Sequence, residues 1–329
     1  MINVAINGFG RIGRTFFKLA AKNPYLKIVA VNDIAQGEVL AHLLKYDSIQ
    51  TVTEKNVFFK NDCLQYGTLT VPLFHNSIVI DNPWKLLDVD VVVDCTGRYL
   101  TKESLQPHLD AGAKKVILSA PPNDDIKSVV IGVNHSILSS TDLIISNASC
   151  TTNNAAPMIK VLDDLYGVKS AYITTVHSYT SDQRLVDSPH KDFRRARAAA
   201  VSIIPTTTGA AKAVSKIFPH LQGKLGGGGI RVPVSNGSLT DITCMVNNTA
   251  NVQEINNKFL EASQNSLKGI LEYTSDPIVS VDIIGNTNSC IFDSQLTSVI
   301  ENMVKIVGWY DNEMGYSSRL VDLIMLINK

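Results

Sequence analysis

Cysteine is scarce in this 329-residue chain and never usefully paired: Cys63, Cys95, Cys150, Cys244 and Cys290 are scattered, odd in number and form no C-x-x-C pattern. That argues against a disulfide framework and a zinc site, no metal is expected, and a reducing compartment fits best. Net charge is lacking as well, because 30 Lys plus Arg stand against 30 Asp plus Glu. No overall field draws the chain to nucleic acid or an anionic membrane, so neither is an expected partner, and an anionic ligand must be held by local groups. No apolar run approaches membrane-spanning length, and Met1 leads directly into "INVAING" without a basic n-region or cleavage site. Repeats and disordered linkers are absent. The one low-complexity point, "LGGGG" at 225–229, reads as a turn or flexible loop. What remains is a cytoplasmic globular chain, long enough for two domains.

The elements present divide at about residue 150. Before it, short apolar runs ("INVAING", "LKIVAVND", "DVDVVVDCTG", "AKKVILSA", "TDLIISNAS") alternate with helical stretches, the pattern of a parallel sheet buried on both faces. After it come longer strands, "SAYITTVHSYT", "IRVPVSNGSLTDITCMV", "PIVSVDIIG" and "MVKIVGWYDN", with one helical stretch at "NVQEINNKFLEASQNSLKGI". The predicted fold class is α/β: a Rossmann-type doubly wound parallel sheet over 1–149, then an α+β catalytic domain with a mostly antiparallel sheet over 150–315. A last helix, 316–329, offers Leu320, Ile324 and Leu326 for burial and is expected to pack back onto the first domain.

"INGFGRIGR" sets Gly8, Gly10 and Gly13 in G-x-G-x-x-G spacing between a strand and a helix. The pattern alone is common. In this context the glycines permit a tight turn and close backbone approach, and the helix start offers free N–H groups to a pyrophosphate. Asp33 ends the next strand twenty residues after Gly13, where a carboxylate accepts from an adenosine ribose and repels a 2′-phosphate, favouring NAD over NADP. Thr96 and Ser119 end later strands and can line the same crevice, although small polar residues there are usually turn chemistry.

In "SNASCTTNNAAP" an apolar strand delivers the chain to Cys150, and Met158, Ile159, Leu162 and Leu165 then fall on one helical face. A lone cysteine is more often a small buried side chain. One at a helix N-terminus is a candidate nucleophile whose pKa the helix dipole and a nearby imidazolium lower. Pro157 would lie within that helix, which calls for a kink or a late start. Among seven histidines, His108, His190 and His220 read as ordinary surface, whereas His177 lies in the strand "YITTVHSYT", followed by hydroxyl residues.

Eight motifs in order, "INGFGRIGR", "KYDS", "SNASCTTN", "TTVHSYT", "HKDFRRARAAA", "IPTTTGAAKA", "RVPV" and "WYDNEMGYS", span nearly the whole chain. With them the sequence resembles the phosphorylating, NAD-dependent glyceraldehyde-3-phosphate dehydrogenases. The resemblance implies Cys150 as nucleophile and His177 as its base, in a thioester route from glyceraldehyde 3-phosphate, phosphate and NAD to an acyl phosphate and NADH. It further implies Ser149, Thr151, Thr208 and Gly209 on the attacking phosphate. Thr180, Arg195 and Arg231 would serve the phosphates of substrate and product, where an arginine fork suits the task. Arg194 and Arg197 read as a solvated basic face. Asn312 would orient the nicotinamide carboxamide, and Arg11 and Ile12 the pyrophosphate side. A homotetramer is also implied, with 178–204 at a subunit interface. Pro189 matches NAD-using relatives. Asn154, Met314, "YDSIQT" and the glycine run before Arg231 depart from the usual pattern. Rival readings are an erythrose-4-phosphate dehydrogenase, which "IPTTTGAAKA" disfavours, and a non-catalytic nucleotide-binding or interaction protein, for which an activated thiol has no use.

Overall fold

A computed structural model describes residues 1–50, 54–248 and 251–328. The chain forms two compact units, one of residues 1–129, 135–148 and 317–329, the other of 130–134 and 149–316.

The first unit runs β1 (Ile2–Asn7), α1 (Arg11–Ala20), β2 (Leu26–Asn32), α2 (Gly37–Lys45), β3 (Val57–Lys60), β4 (Cys63–Tyr66), β5 (Leu69–Phe74), β6 (Val91–Asp94), α3 (Lys102–Asp110), β7 (Lys115–Leu118), β8 (Lys127–Ser128) and β9 (Ile144–Ser146). These make one sheet in the order β3-β4-β5-β2-β1-β6-β7-β9-β8. The β-branched runs of β1, β2, β6, β7 and β9 pair in parallel, as apolar strands buried on both faces do. The sheet is not wholly parallel, however: β3, β4 and β5 form an antiparallel meander that joins β2 at its edge. These strands, VFFK, CLQY and LTVPLF, are too short to register beside the longer runs.

Beneath the sheet lies a polar core. Trp84 Nε1 donates to His108 Nδ1 (3.1 Å), His108 Nε2 faces Asp94 Oδ2 (3.3 Å), and Asn7 Nδ2 donates to the same carboxylate oxygen (2.8 Å). His108 is therefore buried completely rather than set on the surface; its place near the end of α3 turns it inward onto Trp84 and Asp94.

The second unit runs α4 (Cys150–Tyr166), β10 (Val168–Ser178), β11 (Ile204–Thr206), α5 (Ala210–Ile217), β12 (Leu225–Val232), β13 (Ser238–Val246), α6 (Val252–Gln264), β14 (Leu271–Thr274), β15 (Cys290–Asp293), β16 (Ser298–Ile300), β17 (Met303–Tyr310) and α7 (Met314–Ile327). From Ser317 onward α7 belongs to the first unit, where Lys115 Nζ donates to the Ile327 carbonyl (2.6 Å). Leu320, Leu323 and Ile324 are its buried face, with Leu323 in the place expected of Leu326. The sheet order is β11-β12-β10-β13-β17-β15-β14, with β16 beside β17. Met158, Ile159 and Leu162 of α4 join Ile173, Ile242, Ile306, Phe259 and Phe292 in one core. Phe259 and Phe292 stack at 3.8 Å.

Five local readings of the sequence change. The glycine run is a strand, not a turn: β12 pairs in parallel with β10 and antiparallel with β11. A Cβ on Gly226 would come 2.9 Å from the Tyr172 ring, so the missing side chain is what lets that ring lie across the strand. "PIVSVDIIG" forms turns, and the edge strand lies earlier, at β14. The segment 230–246 divides into β12 and β13 at Pro233 and Gly237, the latter at φ 87°. Helix α4 starts at Cys150 and continues past Pro157, which offers no N–H to the preceding turn. Leu165 faces solvent instead of joining the buried stripe.

Candidate active site

Two sets of sequence candidates gather, one in each unit. In the first, Gly8 has φ 90°, and a Cβ there would meet the Thr96 backbone nitrogen at 2.7 Å. No side chain but glycine's fits that position. Gly13 packs against the Gly8 carbonyl, while a Cβ on Gly10 would meet nothing within 4 Å. The backbone at Gly10, N-cap of α1, is thus open to a ligand. Asp33 is fastened from behind by Phe9 N–H to Oδ2 (2.7 Å) and Ala35 N–H to Oδ1 (2.9 Å). Carboxylate lone pairs beyond these two remain available to a ribose diol. Gly8, Gly10, Asp33 and Thr96 border one cleft of about 240 Å³. Thr96 Oγ1 donates to Asp94 Oδ1 (2.7 Å). The Ser119 hydroxyl bonds the Cys95 thiol, which burial pushes up to about 12. Arg11 Nη1 is held by Asp47 (2.8 Å), whose carboxyl Gln50, Arg11 and Ile49 keep below the usual range despite its burial. Ile12, half-buried in the first turn of α1, presents no polar side-chain group.

In the second unit, the chain turns sharply at Ala148 (φ 55°) and enters α4 with Ser149 as N-cap, its Oγ accepting from Thr152 N–H (3.1 Å). Cys150 is the first helical residue. Its Sγ lies 3.5 Å from His177 Nε2. His177 Nδ1 stands 2.7 Å from the Ser178 carbonyl oxygen; with the proton of the neutral ring on Nδ1, Nε2 turns its lone pair to the sulfur. The strand register places Arg231 on β12 directly beside His177 on β10; its Nη1 lies against Nδ1 and donates to the same carbonyl (2.9 Å).

These surroundings oppose the expectation of a thiol lowered by its helix position. Burial pushes the Cys150 thiol up, and the pull of Arg231 and Thr151 does not offset it. Burial, then the Arg231 charge, brings His177 down to about 3. Each group alone is therefore held neutral. Moving the proton from Sγ to Nε2, however, creates opposite charges at 3.5 Å, an attraction of roughly 5 kcal/mol at an effective dielectric near 20. The imidazolium then donates at both nitrogens without rearrangement.

Thr151 and Thr175 both hydrogen-bond the Tyr310 hydroxyl (2.9 and 3.0 Å), and the Tyr310 ring meets His177 edge-on at 5.9 Å. Arg195, half-buried, is fastened by Asp182 and donates through Nε to Thr206 Oγ1 (2.9 Å). Arg194 and Arg197 are exposed. Thr208 Oγ1 accepts from Ala210 N–H (3.2 Å), and Gly209 is the N-cap of α5. Thr180 N–H donates to Gln183 Oε1 (3.3 Å). Asn312 is buried, its Oδ1 taking bonds from two serines. Sequence reasoning passed over Tyr310, Asp182, Ser178 and Ser238. Tyr310 and Ser178 sat inside quoted motifs; Asp182 and Ser238 carried no local signal.

Both parts of the chain match known proteins. Residues 2–102 match the family model described as glyceraldehyde 3-phosphate dehydrogenase, NAD binding domain, and 149–312 match its C-terminal domain. The glyceraldehyde-3-phosphate dehydrogenase of Mycobacterium avium is 50% identical over all of this chain and 99% of its own length. Glyceraldehyde-3-phosphate dehydrogenase 2 of Streptomyces avermitilis is 48% identical over 99% of this chain and 98% of its own. Glyceraldehyde-3-phosphate dehydrogenase 1 of Bacillus subtilis is 48% identical over 100% and 98%.

Proposed function

The chain belongs to the glyceraldehyde-3-phosphate dehydrogenase family, and from that membership we propose how its residues divide the work of oxidising glyceraldehyde 3-phosphate with phosphate and NAD. The observation that carries the reading is the contact of Cys150 Sγ with His177 Nε2 at the start of α4. His177 draws the thiol proton, and the Cys150 thiolate attacks the aldehyde carbon. Nε2 gives that proton to the alkoxide the attack creates, and takes it back from the resulting hydroxyl as C–H cleavage forms the carbonyl of a Cys150 thioester. NAD, when bound, would supply the hydride acceptor. Inorganic phosphate then attacks the thioester carbonyl, the C–S bond breaks, and Cys150 leaves as a thiolate beside His177.

Ser149, Thr151, Thr208 and Gly209 hold the attacking phosphate, and Thr180, Arg195 and Arg231 the phosphate groups of substrate and product. Two guanidinium groups in one site suit two anions. Asp33 holds the adenosine ribose, Gly8, Gly10 and Gly13 with Arg11 and Ile12 the pyrophosphate, Thr96 and Ser119 the crevice wall, and Asn312 the nicotinamide carboxamide. The test is NADH formation with glyceraldehyde 3-phosphate and with erythrose 4-phosphate, each with and without phosphate or arsenate. Phosphate-dependent turnover of the first substrate supports the reading. Preference for the second would replace it.

We also propose a homotetramer in the cytoplasm. Leu185, Val186, Phe193, Val201 and Ile203, all within 178–204, are exposed apolar side chains, Phe193 at 88%, which an interface would cover. The five cysteines are unpaired, and no helix among the described residues is long and apolar enough to cross a membrane. Sedimentation of the intact protein tests the assembly.

A further inference from the structure

The protein engages Arg195 and Arg231, both in the second unit, in different ways. All three guanidinium nitrogens of Arg195 are taken: Nη1 pairs with Asp182, Nε donates to Thr206 Oγ1 (2.9 Å) and Nη2 to the Thr207 carbonyl (3.4 Å). Thr206 in turn donates to Asp192 Oδ2 (2.8 Å), and His190 Nε2 stands 3.6 Å from the second Asp182 oxygen. Arg231 is held through Nη1 alone, against the Ser178 carbonyl and His177 Nδ1. Among the described residues its Nε and Nη2 meet no protein acceptor, and no carboxylate pairs with it. The two arginines belong to neighbouring strands of one sheet: Thr206, which holds Arg195, lies on β11 two residues from Ile204, the partner of Arg231 on β12.

We propose that Asp182 is an internal competitor for phosphate: Arg231 offers the ready anion subsite, and Arg195 a latent one that a phosphate opens only by displacing the Asp182 carboxylate. This rests on the phosphate roles given to Arg195 and Arg231 above, and adds their order of strength. A guanidinium donates only and a carboxylate accepts only, so the direction of the contact is fixed. Carboxylate and phosphate present the same kind of charge-assisted acceptor to Nη1. The Asp182 side chain is 49% exposed against 19% for Arg195, so the carboxylate can swing into water while Thr206 and Thr207 keep the guanidinium in place. Burial raises the Asp182 carboxyl, but Arg195 and His190 bring it below its ordinary value, and at neutral pH it competes as an anion. A subsite that fills and empties once in each turnover gains from such a rival, because the bound phosphate is held only by the difference between the two acceptors and leaves readily.

The test is binding of inorganic phosphate to the intact protein, read from the rise in melting temperature with phosphate against potassium chloride of equal ionic strength. Each variant is compared with its own phosphate-free melting temperature, so a change in basal stability does not enter. Asp182→Asn keeps the shape of the side chain and removes its charge, and should tighten phosphate about tenfold. Asp182→Ser should do the same, and serves if the amide variant folds poorly. In an Arg195→Gln background the Asp182→Asn change should shift phosphate by less than about twofold, because the competition needs the guanidinium. Asp187→Asn removes a carboxylate from the same stretch of chain, one that pairs with the exposed Arg197 (2.8 Å), and should also leave phosphate within about twofold. Unchanged or weaker phosphate binding in both Asp182 variants, with Arg195→Gln alone weakening it, would overturn the competition and leave Arg195 as a phosphate ligand. Tightening of equal size in the Arg195→Gln background or in Asp187→Asn would overturn it as a general effect of charge. Phosphate binding indifferent to Asp182 and to Arg195 alike would overturn the placement of Arg195 at a phosphate, and the competition with it.

Discussion

Arg231 and His177 meet at one oxygen: Arg231 Nη1 donates to the Ser178 carbonyl at 2.9 Å, and His177 Nδ1 stands 2.7 Å from the same atom. The guanidinium is thus placed to act on the imidazole as well as in the phosphate role proposed for it. Arg231→Ala should lower kcat/KM for glyceraldehyde 3-phosphate by about 1.5–3 kcal/mol per charge-assisted bond removed. Unphosphorylated glyceraldehyde should also lose rate, but less, because only the His177 contact is gone. The Lys variant should recover part of the loss, lacking the fork. Equal losses on the two aldehydes would make Arg231 a purely structural neighbour of His177.

Removing the imidazole exposes the intrinsic setting of the thiol. Burial raises Cys150 above its ordinary value, so in His177→Asn the thiolate should form only at higher pH than for a free cysteine. At neutral pH, iodoacetate should label the variant more slowly than the unmodified protein, because less thiolate is present. The unmodified protein should keep labelling at lower pH, since its proton has Nε2 to go to. Coincident pH profiles would show that His177 does not activate the thiol.

Asp33 links cofactor choice to the local backbone. Asp33→Ala should weaken NAD binding and narrow the gap to NADP, because ribose acceptor and phosphate repeller are lost together. The Phe9 and Ala35 N–H groups lose their acceptor as well, which should cost about 1–3 kcal/mol of stability. An unchanged NAD/NADP ratio, measured by binding of each, would remove Asp33 from the ribose site.

His108 is predicted to matter for folding and not for chemistry. His108→Ala leaves the buried Trp84 N–H without its acceptor, while the Asp94 carboxylate keeps Asn7 and Thr96, at a cost of about 1–3 kcal/mol for the unmet donor. Thermal unfolding should show it, with kcat unaltered in the surviving folded protein. A small change in melting temperature would mean that water replaces the imidazole without loss.

The sequence signalled the site more clearly than the fold around it. The candidates Cys150 and His177 stood in motifs whose chemistry could be argued, and the glycines of the first turn had a backbone reason to be there. The glycine strand β12 did not declare itself, because its extended shape comes from pairing with β10 and β11 rather than from its own side chains. His108 resembled a surface residue for the same reason: its partners Trp84 and Asp94 lie 24 and 14 residues away. Ser178, Ser238 and Tyr310 are small or ambiguous residues whose roles depend on contacts spanning up to 159 residues. No periodicity encodes such contacts.

The most direct test of the account is a single turnover without phosphate. Mixing the protein with NAD and glyceraldehyde 3-phosphate should give a burst of one NADH per working site and stop, leaving an acyl group that mass spectrometry of the digested protein finds on Cys150. Adding phosphate should release it and start continuous turnover. An acyl group on any other residue, or a burst of equal size from Cys150→Ser, would contradict the account.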